Sequence, residues 1–264
     1  MNGMDTQRVG INELSYKDQG EGQIVILLHG FCGSQEYWEK VMPLLDQYRV
    51  IAVDLRGHGE SGIPEGGYSI EEMAKDIHYF MDQKQLKEVY MLGHSLGGYV
   101  TLSFAENFPD KLKGFGLIHS TPLPDDERAK EKRTESIKKI DSEGMHSFID
   151  GMVPNLFNQD RLTESKEQID KAKQIGYNTS PAGAKETLKA MRSRGDFQHV
   201  IEKGGLPVLL VAGTNDNVVP KEKTFVSDSP NVKKVLLEQS GHMGIYEEPE
   251  KLAFEIKNFI SENS

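Results

Sequence analysis

The sequence predicts an α/β protein built on a mostly parallel, doubly wound sheet with an inserted helical cap. Three observations carry this. The runs Ile24–Leu28, Val50–Val53, Val89–Leu92, Phe115–Ile118 and Pro207–Val211 are continuously apolar rather than alternating, as strands buried on both faces are. The segments joining the first four are too long for hairpins and carry helical spacing, which demands crossovers and hence parallel pairing. From Thr121 to about Val200 the chain is dense in charge and lacks any β-branched run. The expected division is a core of residues 1–120 and 201–264, with a helical insertion at 121–200.

Taken in order, Arg8 to Tyr16 alternates loosely and reads as a hairpin region closing the sheet edge. The strand at Ile24–Leu28 stops at His29-Gly30-Phe31-Cys32-Gly33-Ser34. Ser34 is placed to N-cap a short helix through Leu45. Val50–Val53 ends at a second polar, glycine-rich loop, 54–61. Ser69 and Glu72 form a capping box, and Ile70, Met73, Ala74, Ile77, Phe80 and Met81 keep helical spacing behind it. Val89–Leu92 leads into a helix from Leu96 to Phe108, which Pro109 stops. In the insertion, helices are expected over Asp125–Ile140, Leu162–Ile175 and from Ser180-Pro181 to about Arg194, with an apolar stretch at Ser147–Phe157 broken by Pro154. Strand rhythm returns at Pro207–Val211 and Val235–Leu237, and a last helix spans Pro249–Ile260.

Composition bounds the function. The 264 residues carry a formal net charge of −10, which disfavours nonspecific binding to nucleic acid or anionic membrane. The single cysteine, Cys32, excludes an intramolecular disulfide and fits a reducing compartment. Met1 to Gly10 has no apolar core of a signal peptide, and the longest apolar run is far too short to span a bilayer. A cytoplasmic protein without a membrane span is the expectation; the oligomeric state is left open.

The chemistry centres on Gly93-His94-Ser95-Leu96-Gly97. A serine between two such glycines, after a strand and before a helix, is the pattern of a nucleophile elbow. Serine needs a base, and the base needs a carboxylate to fix its tautomer. His242, in a loop after the last strand, and Asp216, just past another buried strand, complete the chain order Ser95, Asp216, His242. Ligands bind at the carboxyl ends of strands in open α/β sheets, so these loops are expected on one rim. The amides of Leu96 and Phe31 are the expected oxyanion donors. His29 and His58 read as loop supports, His94 as packing, and His78, His119, His146 and His199 as solvated or packed. Cys32 reads as a small buried apolar residue. No spacing of His, Cys and carboxylates suggests a metal site, and the chemistry needs no cofactor.

Beyond these residues, the sequence resembles an α/β-hydrolase with a helical cap. The resemblance runs through His29-Gly30-Phe31 with Gly33-Ser34 and Trp38, Asp54-Leu-Arg-Gly-His-Gly-Glu-Ser61, Gly93-His-Ser-Leu-Gly-Gly98, Gly213 with Asp216, and Gly241-His242-Met243 with Glu248-Pro249-Glu250. It implies hydrolysis through a serine nucleophile, since Ser95 stands where the dehalogenase and epoxide hydrolase branches carry aspartate. Cys32 stands where perhydrolases and haloperoxidases typically have proline. Tyr99 stands where the menaquinone-pathway synthase has arginine. What remains is a serine esterase acting on small or medium carboxylic esters. Phe148, Met152, Val153, Leu156 and Met191 are the candidate substrate contacts, with Ile149 and Phe157 beside them; cap-to-core packing is their other reading. Arg192 and Arg194 keep open an acidic substrate of a C–C hydrolase or lyase, against a solvated helix end. A small-ligand sensor on the same scaffold is a further alternative.

Overall fold

The computed structural model describes residues 7–9, 13–203 and 205–264. Eight strands form one sheet in the order β1-β2-β4-β3-β5-β6-β7-β8. These are β1 (Gln7–Val9), β2 (Leu14–Gln19), β3 (Ile24–Leu28), β4 (Arg49–Val53), β5 (Val89–His94), β6 (Leu112–Ile118), β7 (Val208–Gly213) and β8 (Val232–Leu237). β2 pairs antiparallel with both β1 and β4, whereas β4, β3, β5, β6, β7 and β8 run parallel to one another. The expected pairing at the sheet edge is therefore β1 with β2, and residues 10–12 lie outside the described residues. Every position of β5 and β7 is buried, which is why both read as unbroken apolar runs.

The chain leaves β3 for β4 on one side, then returns to β5 on the other. The loops after β3 and β5 consequently sit side by side at the point where the strand order reverses, where open α/β sheets bind ligands. Helix α1 (Ile70–Gln83) opens with the capping box: the Ser69 Oγ accepts from Glu72 N at 3.1 Å and Glu72 Oε2 accepts from Ser69 N at 2.8 Å. Helix α2 (Leu96–Asn107) follows β5 directly and packs on α1, β5 and β6. Ser34 does cap, accepting from Glu36 N at 3.2 Å, but two 3-10 turns follow (Gln35–Trp38 and Met42–Leu44) in place of the expected helix. Pro43 at the start of the second turn breaks the regular hydrogen-bond ladder.

Between β6 and β7 the described chain forms helices and turns only. Helix α3 (Glu127–Met152) runs further than expected, through an interruption at Gly144 whose φ of 80° a glycine tolerates. A 3-10 turn (Val153–Leu156), α4 (Lys166–Tyr177), α5 (Pro181–Ser193) and α6 (Gln198–Lys203) follow. α3 packs on both α4 and α5. α5 starts against the 54–61 loop: the Tyr68 hydroxyl donates to Gly183 O at 3.0 Å, and a Cβ on Gly183 would lie 2.2 Å from Gly57 O. The chain closes with α7 (Lys221–Thr224), α8 (Gly244–Glu247) and α9 (Pro249–Glu262). No helix of the described residues is long and apolar enough to cross a membrane.

Candidate active site

Ser95 sits between β5 and α2 with φ 51° and ψ −112°, a conformation that L-residues avoid. Its neighbours permit the turn by lacking side chains. A Cβ on Gly93 would lie 2.1 Å from Gly97 O, and one on Gly97 2.4 Å from Leu28 O. β6 holds the elbow from below: Ser95 N donates to Ile118 O at 2.9 Å, and Ser120 Oγ donates to Ser95 O at 2.8 Å. Two more non-glycine residues with positive φ, Cys32 at 55° and His119 at 50°, follow β3 and β6. Backbone strain of about 1–3 kcal/mol per residue is thus gathered where the strands end.

Ser95 Oγ lies 2.9 Å from His242 Nε2, and His242 Nδ1 lies 2.8 Å from Asp216 Oδ2. A carboxylate only accepts, so Nδ1 carries the hydrogen and Nε2 is left as the acceptor for the Ser95 hydroxyl. Asp216 Oδ1 accepts from Val218 N and Val219 N, both at 2.8 Å. Burial alone would raise this carboxyl, but the imidazoles of His242 and His119 carry it well below the ordinary carboxylate range. The His242 backbone is clamped from two sides. Its N–H donates to Leu156 O at 2.7 Å, and its carbonyl accepts from His94 Nε2 at 2.8 Å. Glu247 steadies the same loop, accepting from Gly241 N at 2.9 Å and from Asn158 N at 2.7 Å.

Leu96 N is the first amide of α2, and a helix start leaves it without an intrahelical partner. Among the described residues neither it nor Phe31 N donates to another group. Cys32 is fully buried, and burial pushes its thiol up, so it stays protonated. His29 joins the loops after β3 and β4, donating from Nδ1 to Gly30 O at 2.8 Å and accepting Leu55 N–H at Nε2 at 2.9 Å. His58 donates from Nδ1 to Arg56 O at 3.1 Å.

Three features depart from expectation. His119, read as solvated or packed, is fully buried and donates from Nδ1 to Asp216 Oδ2 at 3.1 Å. It directly follows the apolar run of β6, but no glycine-rich loop marks that strand end in the sequence. His119, Asp216 and His242 also bring three donor atoms of metal-ligating type within 4.8 Å; two N–H groups donating into one carboxylate oxygen account for those contacts. Arg194 is not a solvated helix end. It is 9% exposed, with Nη1 donating to Asp125 Oδ1 at 2.6 Å and its guanidinium 3.9 Å from the Tyr99 ring centroid. Arg192 instead points outward to Thr134 Oγ1 at 3.0 Å.

A cavity of about 870 Å³ opens on Ser95 and His242 between the sheet rim and the helical segment. Of the candidate contacts, Phe148, Met152, Leu156 and Met191 line it. Val153 does not: it is fully buried, as are Ile149 and Phe157, and none of the three is part of the lining. A step of one residue turns the chain about 100° in a helical segment, which takes Val153 off the cavity side that Met152 occupies and into the packing among the helices. Phe148 reaches Phe31, with ring centroids 6.2 Å apart.

Protonation ties this rim to stability. Burial lowers His29 to about 3 and His58 to about 4, and it lowers His94 and His119 as well. Unfolded, these imidazoles take up protons near about pH 6.5. The unfolded state then binds more protons than the folded one, so stability falls as pH drops from there toward 4. Asp54, raised by burial to about 6, works in the opposite direction over the lower part of this window. Glu247, also raised by burial, works the same way as Asp54, and the four imidazoles outweigh the two carboxyls, each group contributing on the order of 1 kcal/mol per pH unit. The urea midpoint should therefore drop markedly between pH 7 and pH 5; a midpoint flat over that range would contradict neutral buried imidazoles.

A serine at a strained strand–helix turn, ordered ahead of an aspartate and a histidine on a parallel sheet, defines the α/β-hydrolase class. The chain belongs to the α/β-hydrolase fold family, whose family model matches residues 23–135. It is 30% identical over 261 residues to the uncharacterized hydrolase YugF of Bacillus subtilis, covering 93% of this chain and 92% of that one. It is 26% identical to the 2-(acetamidomethylene)succinate hydrolase of Mesorhizobium japonicum, covering 96% and 93% of the two chains. Among solved structures it is similar to a thermophilic esterase from Thermogutta terrifontis, with a TM-score of 0.90, 27% identity and 98% of each chain covered.

Proposed function

We propose that the protein is a serine hydrolase of small or medium carboxylic esters, with residues 121–200 acting as a cap over a core of 1–120 and 201–264. The observation that carries this is the hydrogen-bonded line from Ser95 Oγ through His242 to Asp216, open to a cavity. Ser95 Oγ bonds to the ester carbonyl carbon while its proton passes to His242 Nε2. The carbonyl oxygen gains the negative charge and is held by the amides of Phe31 and Leu96. The carbon–oxygen bond to the alcohol then breaks, and the alcohol leaves with the proton from His242. Water gives a proton to His242 as it attacks the acyl carbon; the bond to Ser95 Oγ then breaks, His242 returns the proton to Ser95 Oγ, and the acid leaves. Asp216 holds His242 in the tautomer this requires and stabilises the imidazolium. Phe148, Met152, Leu156 and Met191 form the apolar wall for the substrate. Every step uses side chains and backbone of this chain.

A panel of p-nitrophenyl esters tests the reading. Multiple turnovers of the acetate and butyrate esters are expected. A single turnover per protein, with a ligand-dependent shift in melting temperature, would replace it with a ligand sensor.

A further inference from the structure

The cavity carries a charge opposite to that of the protein. The chain has a formal net charge of −10, yet five of the side chains lining the cavity are Lys or Arg and only two are carboxylates. Both carboxylates are engaged. Asp125 takes Arg194 on one oxygen and Arg133 Nε on the other, at 2.6 and 3.2 Å. Asp126 caps α3 through Ala129 N at 2.8 Å, with Lys223 Nζ 3.5 Å away.

The remaining cations are arranged along one helix. Lining positions 129, 132, 133, 136 and 139 recur every three or four residues, so they share one face of α3. That face holds Lys132, Arg133 and Lys139. The acidic residues Glu127, Glu131 and Glu135 follow i, i+4, i+8 spacing on another face, beside a separate surface depression. These three acids of α3 thus lie away from the cavity, and Glu143, one turn beyond Lys139, is the acid of this helix nearest to the cationic face. The Lys139 Nζ lies 3.9 Å from the Glu143 carboxylate. Among the described residues no ion pair joins Lys132, and the terminal nitrogens of Arg133 donate to no other group. Arg133 is anchored through Nε, which leaves its outer edge to receive two oxygens of one carboxylate.

We infer that the substrate is an ester carrying a second, ionised group, a carboxylate in the simplest case, which Lys132, Arg133 and Lys139 hold while Ser95 attacks the ester carbonyl. This rests on the ester-hydrolase reading above. The cations are partly exposed and screened by solvent, so together they supply a preference of about tenfold rather than thousands.

The test compares kcat/KM for p-nitrophenyl hydrogen glutarate and p-nitrophenyl butyrate at low salt, each divided by its rate with hydroxide alone. The glutarate ester should lead by about tenfold, mainly through KM, and the lead should shrink at about 0.5 M NaCl. In the Lys132→Gln, Arg133→Gln, Lys139→Gln variant the ratio should fall to near one. Lys132→Glu, a single change at an exposed position, should lower it several-fold. No lead in the wild type, or a lead that survives in both variants, overturns the inference while butyrate turnover keeps the esterase reading intact. If neither ester turns over, that reading fails, and melting of Ser95→Ala with glutarate against glutaramide decides the cation site. A shift with glutarate alone, lost in the triple variant, supports it; equal responses refute it.

Discussion

Replacing Ser95 by alanine should lower kcat on p-nitrophenyl butyrate by about 10⁴-fold or more, leaving the activity that oxyanion stabilisation and binding provide alone. The change removes one oxygen from a site whose backbone is set elsewhere. Ser95 N and O bond to β6 through Ile118 and Ser120, and the close contacts of Gly93 and Gly97 remain. The elbow should therefore keep its shape, and melting should change little. Turnover equal to that of the wild type would place the nucleophile elsewhere. Cys32 would not be its replacement, because its buried thiol stays protonated.

Asp216→Asn should cost about 10⁴-fold in kcat, for a reason specific to this site. The two carboxylate oxygens accept four N–H groups. Those of His242 and His119 go to Oδ2, and those of Val218 and Val219 to Oδ1. An amide has one acceptor oxygen, so its NH₂ must face a pair of donors in either orientation. If it faces the imidazoles, His242 is driven to the opposite tautomer and points an N–H at Ser95, where it cannot take the proton. If it faces Val218 and Val219, both amides lose their acceptor, and the buried one, on Val219, costs about 1–3 kcal/mol. The orientation that spares the backbone amides should thus lose activity and the orientation that spares the imidazoles should lose stability, whereas Ser95→Ala should lose activity alone. Measuring kcat and the urea midpoint on the two proteins separates these outcomes. Wild-type kcat in Asp216→Asn would remove the aspartate from the mechanism.

The sheet and the Ser95, Asp216 and His242 loops were legible because the signals are local. Buried parallel strands are short apolar runs, and tight turns at their ends need glycine. Both can be read from a few adjacent residues. His119 was not legible by the same rule, because its strand ends at His119-Ser120 without a glycine-rich loop. Its role depends on a contact 97 residues away in the chain. The helical segment hid more. Arg194 looks like any helix-end cation until Asp125, Tyr99 and the cavity are placed around it. Lys132, Arg133 and Lys139 lie in a stretch where both signs of charge alternate, and only the phase of α3 sorts them from Glu127, Glu131 and Glu135. The phase also decides Val153. The contrast is physical: a strand end announces itself locally, while the inward face of a surface helix is chosen by what packs beside it.

The most direct test of the account is to trap the nucleophile. The protein is incubated with a p-nitrophenyl alkylphosphonate, which transfers its phosphonyl group to an activated serine and releases p-nitrophenol. Intact-mass measurement and peptide mapping then locate the group. One phosphonyl group per chain on Ser95, with labelling abolished in Ser95→Ala and slowed in Asp216→Asn, is the predicted result. A label on another residue, or an unlabelled protein that still hydrolyses p-nitrophenyl butyrate, would contradict Ser95 as the acyl-accepting group.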